Sequence, residues 1–349
     1  MKLKVNSSPH IRGSESTSRI MRDVILALTP AALAGVCLFG TRVLGVAAAS
    51  ILAALAGEWL WQLMAGTPNR LADGSAVVTG LLLALTLPAS VPYPVAAAGG
   101  FFATFVVKGL GGGAYQNIFN PALAARAFLL LLWPASLTRF VEAGIRLPLV
   151  GGVDAVTAAT PLHEMQMMTL PESSLADMFL GNIGGCIGEV SAAALLLGGI
   201  YLLVRKVISP RIPLAYLGSV AVISLIFSKG EDPVGWMLYS LLGGGVILGA
   251  FFMATDYATS PVTPWGQVIY GIGAGALTVF FRYKGLYPEG VTYAILLMNG
   301  AAWFLDQKTA PRRFGCKRET AFAKKEINDK RNQSPAALGH SAANGKEEM

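Results

Sequence analysis

The apolar stretch Val43-Leu-Gly-Val-Ala-Ala-Ala-Ser-Ile-Leu-Ala-Ala-Leu-Ala-Gly-Glu-Trp-Leu-Trp-Gln-Leu-Met-Ala65 contains a single charged residue, Glu58. A helix of about 20 residues crosses the hydrocarbon core of a bilayer, and this stretch is long enough to do so. Similar runs recur along the 349 residues, of which 54% are hydrophobic and only 13% are charged. Soluble domains carry about 25% charged residues. The sequence therefore predicts an all-α polytopic membrane protein with no soluble catalytic domain.

About ten segments have the length and apolarity of membrane-spanning helices, and they form two groups of five. They are 24–40, 43–65, 74–90, 92–110 and 121–137, followed by 178–204, 212–228, 234–254, 264–282 and 288–306. The predicted organisation has five parts: an N-terminal segment (1–23), a first five-helix half (24–137), a connecting loop (138–177), a second five-helix half (178–306) and a basic, largely disordered tail (307–349). The tail's Lys, Asn, Ser, Ala and Glu content is typical of disorder.

The distribution of Lys and Arg predicts the orientation of these segments. With the N-terminus in the cytoplasm, 20 of the 27 Lys and Arg lie in inside segments, six lie outside and Arg126 lies within a span. The positive-inside rule then places both termini in the cytoplasm and the 138–177 loop outside a prokaryotic cytoplasmic (inner) membrane. The net charge of +7 is explained by basic segments near anionic lipid, so we expect the lipid bilayer, and no nucleic acid, as a partner.

The outer loop contains the polar stretch Asp154-Ala-Val-Thr-Ala-Ala-Thr-Pro-Leu162. Thr160 follows two alanines, so little steric bulk blocks its hydroxyl, and only such an oxygen nucleophile could displace AMP from FAD at phosphorus. The pattern Asp-x-x-Ser/Thr-x-Ala-Thr is similar to the signal by which flavin transferases join FMN to threonine as a phosphodiester. A plain Thr-Pro turn with Asp154 and Thr157 as solvated loop residues is the simpler interpretation. The spacing and the membrane context favour a flavin on Thr160, with Asp154 and Thr157 in the recognised motif.

Histidines and cysteines are too few and too scattered for a metal or iron–sulfur site. No CxxC pair or Cys/His cluster is present among His10, His163, His340, Cys37, Cys186 and Cys316. His163 is near enough in sequence to Thr160 to contact a flavin, although an exposed loop histidine is the simpler interpretation. We therefore predict no metal site and no catalytic residue on this chain.

Four charged residues lie within or at the edges of the predicted spans: Glu58, Arg126, Glu189 and Asp256. A charge at that depth is costly unless it is paired or hydrated, so these side chains are expected to face the helix bundle. An ion path, a flavin pocket and purely structural pairing all remain open for each of them. Asp256 differs from the others because a proline-broken, hydroxyl-rich segment surrounds it, and such a segment could bind a flavin or Na⁺.

An internal duplication is predicted from two pairs of segments. Ser75-Ala76 and Ser191-Ala192 each open an apolar run, while 117–121 and 255–261 each precede a later span. Repeated halves with broken helices are common in transport proteins. The intervals within the two pairs differ, however, so the register of this two-fold repeat is not fixed by the sequence.

Taken together, several motifs resemble the D subunit of the Rnf ion-translocating electron transport complex. They are Ser8-Pro-His10, Asp73-Gly-Ser-Ala-Val-Val-Thr-Gly-Leu-Leu-Leu-Ala-Leu85, Tyr115-Gln-Asn-Ile-Phe-Asn-Pro-Ala122, Asp154 to Leu162, Gly249-Ala-Phe-Phe-Met-Ala-Thr-Asp256 and Tyr287-Pro-Glu-Gly-Val291. The resemblance covers residues 7–315. One departure is Ala158, where the family's motif has glycine, which is a small-residue change.

The resemblance implies a redox subunit of a complex that couples electron transfer between ferredoxin and NAD⁺ to Na⁺ or H⁺ translocation. It further implies FMN bound covalently through the phosphoester on Thr160, a second, non-covalent flavin such as riboflavin, other Rnf subunits as partners, and a flavin transferase. With no nicotinamide motif on the chain, NADH and ferredoxin must react on those partners. Two alternatives remain: the B subunit of the Na⁺-translocating NADH:quinone reductase, which is the sister family, and a channel of the urea-transporter kind.

Overall fold

The computed structural model describes residues 16–67, 71–111, 117–150, 160–229, 232–285 and 290–311. Within these ranges the chain is helical and contains no β-strand, only an isolated bridge between Pro88 and Cys186. The chain divides after Thr309 into two units, and nearly all of the described residues belong to the first. The predicted all-helical class is therefore confirmed.

Fourteen α-helices follow one another along the described residues, and two of them continue as π-helix. They are α1 (Thr17–Phe39), α2 (Arg42–Ala65), α3 (Ser75–Leu85), α4 (Tyr93–Phe101, π-helical over Phe102–Gly109), α5 (Pro121–Leu132), α6 (Pro134–Leu137), α7 (Pro161–Gln166), α8 (Leu175–Leu180), α9 (Ala192–Val204), α10 (Arg211–Ile226), α11 (Pro233–Leu242), α12 (Val246–Leu248, π-helical over Gly249–Met253), α13 (Pro264–Lys284) and α14 (Val291–Thr309). A short 3₁₀ turn at Leu71–Asp73 precedes α3.

Helix α1 begins at Thr17, before the predicted residue 24, because the sequence supplies a cap there. The Ser16 hydroxyl accepts a hydrogen bond from the Arg19 amide at 3.3 Å, which satisfies one of the free amides of the first turn. Polar residues such as Arg19 and Arg22 are compatible with helix but not with hydrocarbon, so the apolar pattern located the start of the span and not the start of the helix.

Two of the described helices, α1 and α2, are long and apolar enough to cross a membrane. A third span results if α11 and the segment Val246–Met253, which meet at a bend of 59°, are counted together. Four apolar helices are shorter: α3, α5, α9 and α10. At 1.5 Å per residue, the 11 residues of α3 extend over only about half of a 30 Å core. The structure thus supports a membrane protein with long spans and half-length helices, while the total of ten spans stays a prediction.

Glycine, aspartate and threonine residues mark the ends of the short helical segments. Helix α3 starts after Gly74, which has a left-handed φ of 81°, and the Asp73 carboxylate accepts hydrogen bonds from the Ser75 amide at 2.8 Å and from its hydroxyl at 2.6 Å. It ends at Thr86, whose hydroxyl donates back to the Leu83 carbonyl at 2.7 Å. The Thr255 hydroxyl similarly donates to the Phe251 carbonyl at 2.6 Å after the second π-helical segment.

Helix pairs approach closely at glycines, as is usual when helices pack in a membrane. A Cβ on Gly198 in α9 would overlap the backbone carbonyl of Ala27 in α1, and a Cβ on Gly275 in α13 would overlap Ser219 in α10. The core between such pairs is apolar and fully buried, with large side chains that include Tyr216, Trp236 and Leu83. Close backbone approach therefore fixes which helices are neighbours.

Helix α9 ends in a Schellman motif that contains a lysine at the left-handed position. The amide of Val207 donates to the Leu202 carbonyl at 2.9 Å, and that of Lys206 donates to the Leu203 carbonyl at 3.0 Å. Lys206 has a φ of 57°, a conformation that glycine usually occupies at this position. A residue with a Cβ adopts it at a cost of about 1 kcal/mol.

Candidate functional site

Thr160 is the N-cap residue of α7 and is half-buried. Its hydroxyl oxygen accepts a hydrogen bond from the His163 amide at 3.3 Å, which is the long end of the range for such bonds. Pro161 follows at the first helical position, where its missing amide costs nothing. The other two residues of the predicted motif, Asp154 and Thr157, lie outside the described residues. His163 is exposed, as the simpler interpretation of that residue expected.

A small cavity lies next to Thr160, between the end of the connecting loop and the glycines after α11. Its volume is about 20 Å³, close to what one water molecule occupies, and its walls include Leu162, Met178, Glu189 and Gly244. A flavin ring system does not fit in that space. A flavin attached to the Thr160 oxygen would therefore have its ring outside the cavity.

Glu189, which lines this cavity, forms an ion pair with Arg126, and the atoms Oε1 and Nη1 are 3.0 Å apart. Arg126 also donates to the Cys186 sulfur at 3.4 Å. Both side chains are less than a tenth exposed, so the pair lies in the bundle interior. Of the interpretations left open for these two residues, structural pairing therefore describes the contact that they make.

Glu58 has a buried partner that the sequence did not indicate. The Lys108 ammonium lies 2.9 and 2.8 Å from the two Glu58 oxygens and donates to the Ser75 hydroxyl at 2.7 Å. Lys108 is only 4% exposed and lies in the π-helical continuation of α4. The sequence places Lys108 in a segment predicted to be cytoplasmic. It does not indicate the ion pair, because the partners in α2 and α3 are far from Lys108 along the chain.

Arg282 holds the start of the other broken helix in a comparable way. Its guanidinium donates to the carbonyls of Ser240 at 2.5 Å, Gly243 at 2.7 Å and Gly244 at 3.3 Å, just before α12. Arg282 is 5% exposed, although its place in the sequence puts it in a segment predicted to lie outside the membrane. Lys108 belongs to the predicted inside segments and Arg282 to the predicted outside segments. Inside segments therefore still hold many more Lys and Arg than outside segments when both residues are left out.

A larger cavity, of about 100 Å³, brings together residues from both halves of the chain. Its polar lining groups are Ser75, Thr79, Lys108, Asn117, Asn120, Thr255, Asp256 and Tyr257, and its apolar walls include Val78, Leu82, Phe251 and Phe252. The two polar segments singled out from sequence, around Asn117–Asn120 and around Asp256, are thus neighbours in space. Apolar walls with a few polar groups are typical of a small-molecule site.

The hydrogen bonds at this cavity leave some polar groups with spare capacity. The Asn120 amide nitrogen donates to the Met253 carbonyl at 3.2 Å while its oxygen caps α5, so this side chain joins the two halves. Asp256 accepts from the Thr259 hydroxyl at 3.2 Å and from the Ala258 amide at 3.5 Å. The buried Asn117 oxygen has no hydrogen-bond partner among the described residues. An acceptor pair of this kind, Asn117 and Asp256, suits a ligand donor or a cation.

Half-length helices that end at a polar cavity inside a helical membrane protein define an architecture that transport proteins use. No group of three or more His, Cys, Asp or Glu side chains that could hold a metal ion occurs in the part of the chain that the structure describes. The fold and the cavity therefore define the class as a helical integral membrane protein with the architecture of transport proteins.

The chain belongs to the NQR2, RnfD, RnfE family, whose model matches residues 4–315. It is 46% identical over 318 residues to the D subunit of the Na⁺-translocating ferredoxin:NAD⁺ oxidoreductase complex of Acetobacterium woodii, covering 90% of this chain and 96% of the relative. It is 42% identical over 328 residues to the D subunit of the proton-translocating ferredoxin:NAD⁺ oxidoreductase complex of Clostridium ljungdahlii, with the same coverage of 90% and 96%.

A third relative, the D subunit of the ion-translocating oxidoreductase complex of Stutzerimonas stutzeri, is 38% identical over 327 residues, which are 86% of this chain and 92% of the relative. The resemblance to the Rnf D subunit is therefore confirmed. The names of the first two relatives specify different ions at similar identity, so overall similarity does not identify the ion.

Proposed function

We propose that this chain is the D subunit of an Rnf-type complex, a membrane electron-transfer component of a ferredoxin:NAD⁺ oxidoreductase that translocates Na⁺ or H⁺. The observation that carries this proposal is the match, over 90% of the chain at 46% identity, to a relative named as that subunit. The family model also includes the sister NQR2 proteins, but the relatives described above are all named as D subunits. Ferredoxin and NAD⁺ are bound by partner subunits in this proposal.

Deletion and complementation in the source cell test this assignment. Membrane vesicles that lack the chain should lose ferredoxin-dependent NAD⁺ reduction together with the coupled ion uptake, and the full-length gene should restore both. A tagged copy should purify with several further membrane subunits. Vesicles that lose NADH:quinone reduction instead would assign the chain to the sister complex.

FMN joined to Thr160 as a phosphodiester is the cofactor arrangement that we propose for the loop. In its formation the Thr160 oxygen bonds to the FMN phosphorus of FAD, the pyrophosphate bond breaks, AMP leaves, and the hydroxyl proton passes to base. The Thr160 hydroxyl is half-buried beside a cavity too small for a flavin ring, so the ring of an attached FMN would lie outside that cavity. When bound, FMN supplies one- and two-electron redox chemistry. Asp154 and Thr157 belong to the segment that the flavin transferase recognises.

The larger cavity is proposed as the site of a second ligand, either a non-covalent flavin such as riboflavin or the translocated cation. Its volume of about 100 Å³ is below the range of about 300–1,000 Å³ for small-molecule pockets, so a flavin ring would enter only if the walls moved. A cation needs no such change. Asn117, Asp256 and the nearby hydroxyls would hold the cation by oxygen ligands, and Phe251 and Phe252 would instead flank a ring.

We also propose the full architecture expected from sequence, with about ten spans, both termini in the cytoplasm and a two-fold internal repeat. The register of the repeat that best fits the helices pairs 80–92 with 249–261, because both segments read Gly-x₅-Thr-x₂-Ala-x₂-Pro. The first segment precedes α4 and the second precedes α13. Lys108, from the π-helical part of α4, contacts the start of α3, and Arg282, from α13, contacts the residues just before α12. This register differs from the pairing of Ser75 with Ser191. In it, the Gly, Thr, Ala and Pro residues have the same spacing in both segments.

A further inference from the structure

A third cavity, which is polar and has a volume of about 220 Å³, lies where the start of α1 meets the end of α9. Arg19 and Asp23 line it from α1, Arg205, Lys206 and Val207 line it after α9, and Tyr257 completes it. Tyr257 donates its hydroxyl hydrogen to the Val207 carbonyl, which ties the wall to the segment after the second π-helical turn. This cavity shares Ile20, Val207 and Tyr257 with the wall of the 100 Å³ cavity, but the residues proposed above to hold a ligand do not line it.

The charge of the cavity is positive. Asp23 accepts hydrogen bonds from the Arg205 guanidinium and from the Tyr201 hydroxyl, both at 3.1 Å, so its charge is offset by Arg205. The side chains of Arg19 and Lys206 have no hydrogen-bond or ion-pair partner among the described residues. Within the described part of the chain no anion balances these two cations, which suits an anionic ligand.

The conformation of Lys206 adds an independent observation. Its left-handed φ of 57° lies at the position of the Schellman motif where glycine is favoured. A lysine there gives up some stability of the helix end, and this lysine is one of the residues that line the cavity. Backbone strain of this kind is often found where a side chain has a binding role.

The helix that leads to the cavity has an unpartnered apolar face. Leu197, Ile200 and Val204 of α9 are exposed by 64%, 54% and 74%, and their spacing places them along one side of the helix. Leu26 and Leu33 of α1, both 59% exposed, lie along the neighbouring helix. Val204 directly precedes Arg205 in the chain, so an apolar surface leads up to the basic cavity.

We propose that this cavity binds the headgroup phosphate of an anionic phospholipid, with the acyl chains against the exposed faces of α1 and α9. Such a lipid has a phosphate anion at one end and long hydrocarbon chains at the other. The surface matches it, because the excess cations lie at the end of α9 and the exposed apolar residues lie along the helix that precedes them. Basic pockets between membrane helices on the cytoplasmic side commonly bind such lipids. The predicted orientation places the start of α1 on that side.

Titration of the purified full-length protein in a neutral detergent with phosphatidylglycerol and with phosphatidylcholine tests this site. We expect phosphatidylglycerol to bind about ten-fold more tightly than phosphatidylcholine. Lys206→Gly and Arg19→Gln should each lower its affinity roughly five-fold, the contribution of one basic residue near the membrane surface. Arg211→Gln is the matched control, because Arg211 is an exposed basic residue nearby that does not line the cavity, and it should leave the affinity unchanged.

The melting temperature separates a binding role of Lys206 from a structural one. Glycine relieves the left-handed turn, so Lys206→Gly should melt no lower than the parent protein while its lipid affinity falls. Unchanged phosphatidylglycerol affinity in both variants, or an equal loss in Arg211→Gln, would overturn the proposal. Competition by inorganic phosphate as strong as that by phosphatidylglycerol at the same concentration would identify a soluble anion as the ligand and would equally overturn it.

Discussion

The hydroxyl of Thr160 has two separable properties, because it caps α7 and is also the proposed site of FMN attachment. Thr160→Asn keeps an N-cap acceptor of similar strength but removes the nucleophilic oxygen. We expect denatured wild-type protein to fluoresce under ultraviolet light on a gel and Thr160→Asn to be dark at similar expression and stability. Thr169→Ala is the control, since among the described residues the exposed Thr169 hydroxyl bonds only to the Glu164 carbonyl, and it should stay fluorescent. A fluorescent Thr160→Asn band would move the attachment to another residue.

Asp154 is proposed to act in modification and not in electron transfer, since it belongs to the segment that a flavin transferase must recognise. An acidic group there could help to hold the Mg²⁺ that accompanies FAD. We expect Asp154→Ala to yield folded, membrane-inserted protein with little attached flavin, measured as the fluorescence per unit of protein. Glu142→Ala, in the same predicted loop, serves as a control and should be fully flavinylated. Full flavinylation of Asp154→Ala would make the aspartate an ordinary loop residue.

Asp256 lines the larger cavity, and only the Thr259 hydroxyl and the Ala258 amide are its described hydrogen-bond donors. If the cavity holds the translocated cation, Asp256→Asn should leave Thr160 flavinylated and the complex assembled, yet reduce ion uptake by vesicles more than electron transfer. The physical reason is that an amide keeps the shape of the carboxylate but lacks its charge. A ratio of ion uptake to electron transfer equal to that of the wild type would leave Asp256 with a structural role.

Among the elements, the half-length helix α3 begins at a buried charge. The Lys108 ammonium in α4's π-helical segment contacts Glu58 in α2 and Ser75 at the start of α3, so one group joins three helices. Such a pair is stable as a unit because each charge offsets the desolvation of the other, whereas one charge alone is strongly unfavourable. A π-helical turn is also a common feature of functional segments, here beside the larger cavity.

We expect Lys108→Met to destabilise the protein by about 3–5 kcal/mol, because it leaves the Glu58 carboxylate buried without its partner. The double variant Glu58→Gln with Lys108→Met should recover much of that loss, since no isolated charge remains. Thermal unfolding in detergent, followed by loss of monodisperse protein, measures both. A double variant no more stable than Lys108→Met would indicate that Lys108 acts mainly through Ser75 or the cavity.

At the scale of the whole molecule, the orientation in the membrane determines on which side the proposed flavin lies. We expect Glu172→Cys, at an exposed position of the connecting loop, to react with an impermeant thiol reagent in whole cells, and Ser334→Cys in the tail to react only after permeabilisation. Both changes belong in a background without the native Cys37, Cys186 and Cys316. The reverse labelling pattern would contradict the predicted topology and, with it, a flavin at the outer surface.

The sequence by itself determined the class of this protein, because hydrophobicity and low charge are properties of composition. It also identified the Thr160 motif, the polar segments at 117–121 and 255–261, and the family, since these are local patterns of residue type and spacing. Of the four charges expected to face the bundle, Glu58 and Arg126 are buried, the Glu189 side chain is less than a tenth exposed, and Asp256 is half-buried. Desolvation alone predicts that outcome, whatever the partners are.

Only the tertiary structure decided which groups meet. Lys108 and Glu58 are 50 residues apart, Arg126 and Glu189 are 63 apart, and Asn120 and Met253 are 133 apart, so no local pattern specifies these contacts. The structure likewise decided that α3 and α9 are short, because the apolar runs predicted at 74–90 and 178–204 include turns whose carbonyls and amides bond elsewhere in the bundle. Hydropathy measures how well a segment tolerates hydrocarbon, whereas the partners available in three dimensions determine where its helix ends.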